Sequence, residues 1–244
     1  MNICLSLGST YPARNPFAAM KLGVEATDPV LGKIDTKHVQ LCPQNGPLRL
    51  TKEVLEELQG QWPKTQFRLH ANARVLDKPF LFDLGTIDFF PEYKWALVEL
   101  LKFLGTPYSL HAASGRNTTS AKKQIERCQQ LEQAAGVPVA IEGLYPGVTN
   151  VFSSWADYAL LLDNDVRVAV DLSHLNIVME KEGAPPEGLV EALLANKNCI
   201  EIHLSGNDEQ RDSHKMVEEG TWWLDLLNQA NPHAVVFYEG RQQP

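Results

Sequence analysis

Short runs of Val, Ile, Leu and aromatic residues recur along the chain, and most of them stop on a polar side chain. The runs at 67–70, 108–111, 139–142, 168–171, 200–203 and 235–239 are brief and rich in β-branched or aromatic residues, the pattern of buried strands. Two further runs, 3–7 and 38–42, bring the expected strands to eight. Between them the apolar spacing changes to a helical period. One helix is expected from Thr51, whose hydroxyl can cap it, through Leu55, Leu58 and Trp62. Pro91 opens another in which Trp95, Val98, Leu101 and Leu104 share a face before Gly105. A third begins near Thr119 or Ser120 and carries Ile125, Cys128 and Leu131 to Gly136. Others are expected over 152–162, over 189–194 behind Pro185-Pro186, and over 222–227, giving about seven helices in all.

Strands and helices that alternate eightfold close most naturally into a (β/α)₈ TIM barrel occupying residues 1–244 as a single domain, with functional residues on the loops at the C-terminal ends of the strands. A doubly wound open sheet is the competitor, but it would gather its ligands at a switch point and not from most strands. The sequence runs only five residues past Glu239, so the last outer helix is expected to be missing or truncated. The N-terminal segment or a second subunit would then cover the gap, which makes a homodimer an expectation. The least regular stretches, 10–32, 72–90 and 205–220, read as loops that could shape a pocket, and the first of them could equally contain the first helix.

Composition refines this picture. A chain of 244 residues with 44% hydrophobic residues can bury one substantial core. No apolar stretch reaches about eighteen residues, and the first residues lack a basic segment and cleavage pattern, so a soluble cytoplasmic protein without membrane contact is expected. Cys4, Cys42, Cys128 and Cys199 form no CxxC pair and read as buried thiols. The net charge of −8 argues against a surface built wholly for nucleic acid, without excluding a local basic groove.

The chemistry lies at the ends of the apolar runs. His70, His111, Glu142, Asp171, His203 and Glu239 each close a predicted strand, and His174, Asp212 and His214 follow closely behind two of them. Buried polar groups are costly unless paired or bound to a cation. Nine imidazoles and carboxylates arranged in this way predict a metal cage, and the N/O donor set suits iron, zinc or manganese. Thiolates take no part, which disfavours a purely structural zinc site.

The order of these nine residues resembles that of the xylose-isomerase-like superfamily of TIM barrels, which includes AP endonuclease family 2. Within it, the chain is similar to endonuclease IV and to the multinuclear non-heme iron-dependent oxidases that modify peptides. The resemblance implies that His70, His111 and Glu142 hold one metal and that Glu142 bridges to a second bound by Asp171, His203 and Glu239. His174, Asp212 and His214 would hold a third. His203-Leu204-Ser205-Gly206, Asp212-Ser213-His214 and Trp222-Trp223 look most like the oxidases. The chain departs from these relatives in three places. Gly143 follows Glu142 where both usually place Asn, Ala71 follows His70 where the oxidases usually carry Gly, and Asn207 stands where they often have a further His. It is also shorter than typical members.

By that resemblance the expected activity is an iron-dependent oxidation of a cysteine-containing peptide or small thiol, the substrate coming free or from a partner protein. Glu142, Asp171 and Glu239 would be catalytic, and Asn207 and Arg241 would meet substrate. Two alternatives stay open. A zinc phosphodiesterase of the endonuclease IV type would engage nucleic acid and could use Arg74, Arg116, Arg211 or Arg241 on phosphate. A sugar or sugar-phosphate isomerase or epimerase would need only Glu142, Asp171, His203 and Glu239 around one ion. A non-catalytic metal-binding scaffold is a further possibility. Asn72, Ser114, Asn117, Asn176, Ser205 and Asn207 follow predicted strands and could orient imidazoles.

Overall fold

Eight parallel strands form one sheet, β1 (Ile3–Ser6), β2 (Asp35–Leu41), β3 (Gln66–Leu69), β4 (Tyr108–His111), β5 (Val139–Glu142), β6 (Arg167–Asp171), β7 (Cys199–Leu204) and β8 (Val235–Tyr238). This computed structural model describes residues 2–46, 48–78, 81–115, 119–149 and 151–242. The spatial order β3-β2-β1-β8-β7-β6-β5-β4 leaves β3 and β4 as the facing edges. They meet at both ends of the seam. His70 bridges to Ser109, the Ala71 N–H donates to the Ser109 carbonyl (2.8 Å), and at the opposite end the Thr106 hydroxyl donates to the Phe67 carbonyl (2.9 Å). The result is a TIM barrel, and strand alternation sends every second side chain into its interior.

The outer layer follows from capping and periodicity. Helices α1 (Pro16–Gly23), α2 (Lys52–Gln61), α3 (Pro91–Leu104), α4 (Ala121–Ala135), α5 (Trp155–Asp163), α6 (Leu172–Glu182) and α7 (Leu189–Ala195) fill the crossovers from β1 to β7. The Thr51, Ser120 and Ser154 hydroxyls each accept a first-turn N–H, at Val54, Lys123 and Asp157. Gly105 and Gly136 close α3 and α4 in the left-handed conformation, at φ of 63° and 68°. A single helical turn, Leu7–Thr10, follows β1 directly, and residues 10–32 hold α1 together with part of a small hairpin, Thr27–Asp28 with Gly32–Lys33.

Four expectations need correction. Trp95 lies on the outer face of α3 and is 70% exposed, because the buried stripe is Tyr93, Leu97, Leu100 and Leu101. The 222–227 segment is a 3₁₀ helix over Leu224–Gln229, with Trp223 buried and Trp222 half-buried. The helix expected from 152 starts only after Ser154. Helix α6 has no counterpart in the sequence pattern. It begins inside the ligand motif, where the Asp171 carboxylate accepts the Ser173 and His174 N–H groups (2.7 and 3.0 Å), so one residue both ends a strand and caps a helix.

Among the described residues no helix follows β8. Residues 239–242 instead turn across the top of the barrel, where the Arg241 N–H donates to His214 O, the Gln242 N–H to Thr10 O and the Gln242 side chain to Thr27 O. At the opposite end, beside β1 and β8, a cavity of about 530 Å³ lies between Asn2, Cys4, His38, Asn228 and Asn231. All four cysteines are free and buried, as expected. No helix among the described residues is long and apolar enough to cross a membrane.

Candidate metal centre

The strands deliver their terminal side chains to one mouth of the barrel. His111, Glu142 and Asp171 are the last residues of β4, β5 and β6, His203 is the penultimate residue of β7, and His70 and Glu239 immediately follow β3 and β8. His174 joins them from the first turn of α6, and Asp212 and His214 from the loop after β7. All nine predicted ligands therefore converge, and His70, Glu142, Asp171, His174, His203 and Glu239 are buried.

Two carboxylates act as hubs. One Glu142 oxygen lies 3.7 Å from His70 Nε2 and 3.8 Å from His111 Nε2. The other lies 3.5 Å from His203 Nδ1 and 3.8 Å from His174 Nδ1. Asp212 Oδ2 stands 2.9 Å from His214 Nε2 and 3.6 Å from His174 Nε2, while Glu239 approaches His214 Nδ1 at 3.6 Å. Three groups bring one donor atom per residue within 4.8 Å of each other: His70, His111 and Glu142; Glu142, Asp171 and His203; and His70, His203 and Glu239. The first has the residues of the expected first set, the second holds three of the expected four, and Glu239 stands instead with His70 and His203. The set of His174, Asp212 and His214 is joined pairwise through Asp212.

The donors fit cations. Glu142 Oε2, His203 Nδ1 and His214 Nδ1 are buried without a hydrogen-bond partner, and all three face the cage. Several imidazoles are also oriented from outside it. His70 Nδ1 lies 2.8 Å from the Ser109 hydroxyl, leaving Nε2 toward Glu142. His174 Nδ1 donates to the Gly143 carbonyl (3.0 Å), leaving Nε2 toward Asp171 and Asp212. Such outer hydrogen bonds fix the tautomer and ring direction of metal-binding histidines. Gly143 has no room for a side chain, since a Cβ there would come 2.6 Å from the Tyr158 ring. Ala71 stands at φ 45° and His214 at φ 48°, left-handed conformations held at the edge of the site.

Electrostatics follow from burial and charge. Burial pushes the His70 imidazole down to about 3 and lowers His111 as well, so both present neutral nitrogens. Burial opposes ionisation of Glu142, but His203, His111 and His70 outweigh it and hold its carboxyl well below the usual range. For His214, burial is outweighed by Asp212 and Glu239, which push it up to about 9, and burial lifts Glu239 to about 6. Without metal, protons on His174, His203 and His214 balance the carboxylates, the role that cations would take.

A cavity of about 240 Å³ opens over the cage between Ser9, Gln44, Leu81, Ser114, Tyr145 and Val148. Asn207 and Arg241, expected to meet substrate, are not among the residues that line it. The Asn207 amide donates to the Ser173 carbonyl (2.6 Å) and accepts from Asn176, which in turn accepts from the Trp222 indole, so these residues brace the loop that carries Asp212. The Arg241 side chain is exposed. Arg74 turns to the Asp77 carbonyl and Arg211 pairs with Asp208 at the surface, while Arg116 and Asn117 lie outside the described residues. Asn72 caps the Phe82 N–H, and Ser114 is tied to Asp83. No Lys or Arg among the described residues lines the cavity.

Sequence reasoning missed the layer beneath. Two residues before the strand-borne ligands lie Arg68, Ser109 and Glu201, all buried, and Gln40 sits at the same depth on β2. The available signal was a charged or polar residue at period two below a ligand in an otherwise apolar run. Ser6 was missed too, and its hydroxyl donates to Glu239 (3.0 Å).

No protein-family profile and no curated protein matches the sequence. Among solved structures, the fold is similar to a D-tagatose 3-epimerase-like protein (TM-score 0.67, 12% identity, 98% of this chain and 90% of that chain). It is also similar to an IolI protein with a zinc atom (0.63, 13%, 98% and 88%) and to endonuclease IV from Thermus thermophilus (0.55, 19%, 85% and 83%). These are xylose-isomerase-like TIM barrels, the fold the resemblance implied.

Proposed function

We propose that the protein is a multinuclear metal-dependent enzyme that hydrolyses a small phosphate ester. The observation that carries this reading is the nine-donor cage, which offers more inward-facing nitrogens and carboxylates than one ion can use. Glu142 would bridge, His70 and His111 would complete one site, Asp171, His203 and Glu239 the second, and His174, Asp212 and His214 the third. Bound there, divalent ions would act as Lewis acids, polarising a phosphoryl oxygen and lowering the pKa of water. The four carboxylates Glu142, Asp171, Asp212 and Glu239 carry four negative charges. Two divalent ions balance them and a third leaves a surplus of two positive charges, which suits an anion in a cavity that no described Lys or Arg lines. A volume of about 240 Å³ is below the range usual for drug-sized ligands and, with a net charge of −8, favours a small molecule over duplex DNA.

A sugar epimerase is the second reading. The subset Glu142, Asp171, His203 and Glu239 would serve a single ion, and neighbours of this fold include epimerases. The oxidase expectation draws on the loop motifs alone. Elemental analysis of protein purified without added metal, followed by assay of the zinc-loaded enzyme on chromogenic phosphate mono- and diesters, separates these readings. Two or three ions per chain, with turnover lost on His111→Ala, support the hydrolase. One ion per chain and no turnover of either ester favour the epimerase, and iron with O₂ uptake restores the oxidase.

A further inference from the structure

Beneath the cage lies a buried anion that the hydrolytic reading does not use. Glu201 is fully buried on β7, and Arg68 from β3 reaches its carboxylate across the barrel at 3.0 Å. The Gln40 amide donates to the same carboxylate (3.0 Å). A paired ion inside a barrel is costly to desolvate and is weak evidence for stability, so its contacts are the better guide to its role.

Those contacts run upward to two ligands on different strands. Glu201 Oε2 lies 3.4 Å from His203 Nε2 and directly below it. The Ser109 hydroxyl also helps to hold Glu201 as an anion, and its oxygen lies 2.8 Å from His70 Nδ1. Hydrogen-bond direction then propagates from the anion. A carboxylate only accepts, so the Ser109 hydrogen points down to it. The Ser109 oxygen is left to accept from His70 Nδ1–H, and the lone pair of His70 falls on Nε2, toward Glu142. By the same rule His203, once it has given up its second proton as a metal donor must, keeps the remaining hydrogen on Nε2, and its lone pair falls on Nδ1, the atom left unpartnered 3.5 Å from Glu142.

One neighbour makes the opposite demand. Gln40 Nε2 lies 3.1 Å from His203 Nε2 and could offer it a hydrogen, which would move the imidazole proton to Nδ1 and block the cage. The carboxylate prevails on strength, because a hydrogen bond to an ionised acceptor is roughly twice as strong as one between neutral groups. Gln40 already directs a hydrogen to Glu201.

We propose that Glu201 is a positioning residue that sets the tautomers of both His203 and His70, so that one buried carboxylate aims two metal donors at once. The proposal rests on the reading that the cage binds metal, yet its first test does not. In metal-free full-length protein, titrated to a pH at which His203 keeps a single proton, long-range ¹H–¹⁵N correlation spectra should show that proton on Nε2, and His70 protonated on Nδ1. Glu201→Gln should lose the single Nε2 form of His203, and zinc affinity measured against a chromophoric chelator should fall by about 10- to 100-fold. Ser109→Ala, which spares the Arg68 pair, should change the His70 signal alone and weaken zinc binding by about tenfold, and it serves if Glu201→Gln does not fold. Unchanged tautomers with zinc affinity within about twofold of wild type, whatever the loss of thermal stability, would overturn the proposal. A wild-type protein with these tautomers that binds no zinc would instead sink the metal-enzyme reading and leave the positioning role standing.

Discussion

The ligands on strand ends and those on the loop after β7 are built by different means. Glu142 and His203 have side chains 2% and 0% exposed and are fixed by sheet register, with Glu201 and Gln40 packed against the His203 ring. Asp212 and His214 are 15% and 14% exposed and sit on an arm with no regular structure. That arm is held by paired backbone hydrogen bonds between Gly206 and Lys215 (2.8 and 2.7 Å), by Asn207 on the Ser173 carbonyl and by the Val217 N–H on Asp28. The contrast teaches that one part of the cage is preformed by the barrel, whereas the other depends on a latch that could be opened separately.

The sharpest way to break this contrast is to remove the hub. Glu142→Ala should weaken binding of the two ions it would share by more than about a hundredfold, since three imidazoles point at its carboxylate. Retention of either of those two ions near wild-type affinity, by competitive titration, would show that the strand-borne donors do not act as one unit. Asp212→Ala should next lose a single ion per chain, with the remaining sites within about threefold of wild type. Loss of all ions would erase the distinction between arm and barrel. Gly206→Ala is subtler. An added Cβ would press on the Met216 carbonyl and part the latch, costing about 1–3 kcal/mol as overpacking does and weakening only the ion held by the arm, as calorimetry and titration would show.

The smallest effect concerns pH. His214 is raised from 6.5 in the unfolded chain to about 9 by Asp212, so in chelator-treated protein this pair contributes stability that is complete below pH 6.5 and fades as the pH rises through 9. Thermal melts should decline over that window, and His214→Asn should flatten the decline. An identical slope in the variant would place the titration elsewhere.

The barrel and the convergence of its candidate donors were legible because strand ends are: a short run that stops on His111, Glu142 or Asp171 reports both the element and the mouth it faces. Helix α6 was not legible, since its cap is also a ligand and the motif masked the helical spacing of Leu172, Leu175 and Val178. Asn207 and Arg241 read as substrate contacts from proximity to ligands, but proximity along a loop does not give direction, and the Asn207 amide turns to backbone. The buried Arg68 and Glu201 were hidden for another reason. Each looks like a solvent-facing residue in a half-buried strand until the barrel closes and supplies its partner.

That pairing joins residues 133 positions apart, one from the early strands and one from the late. A nascent chain holding only the first four strands would leave the Arg68 guanidinium without its counter-ion, and a later fragment would strand Glu201 in the same way. In either fragment the open inner face would leave that charge in water, so the cost of desolvating the pair falls only at the moment the cylinder seals.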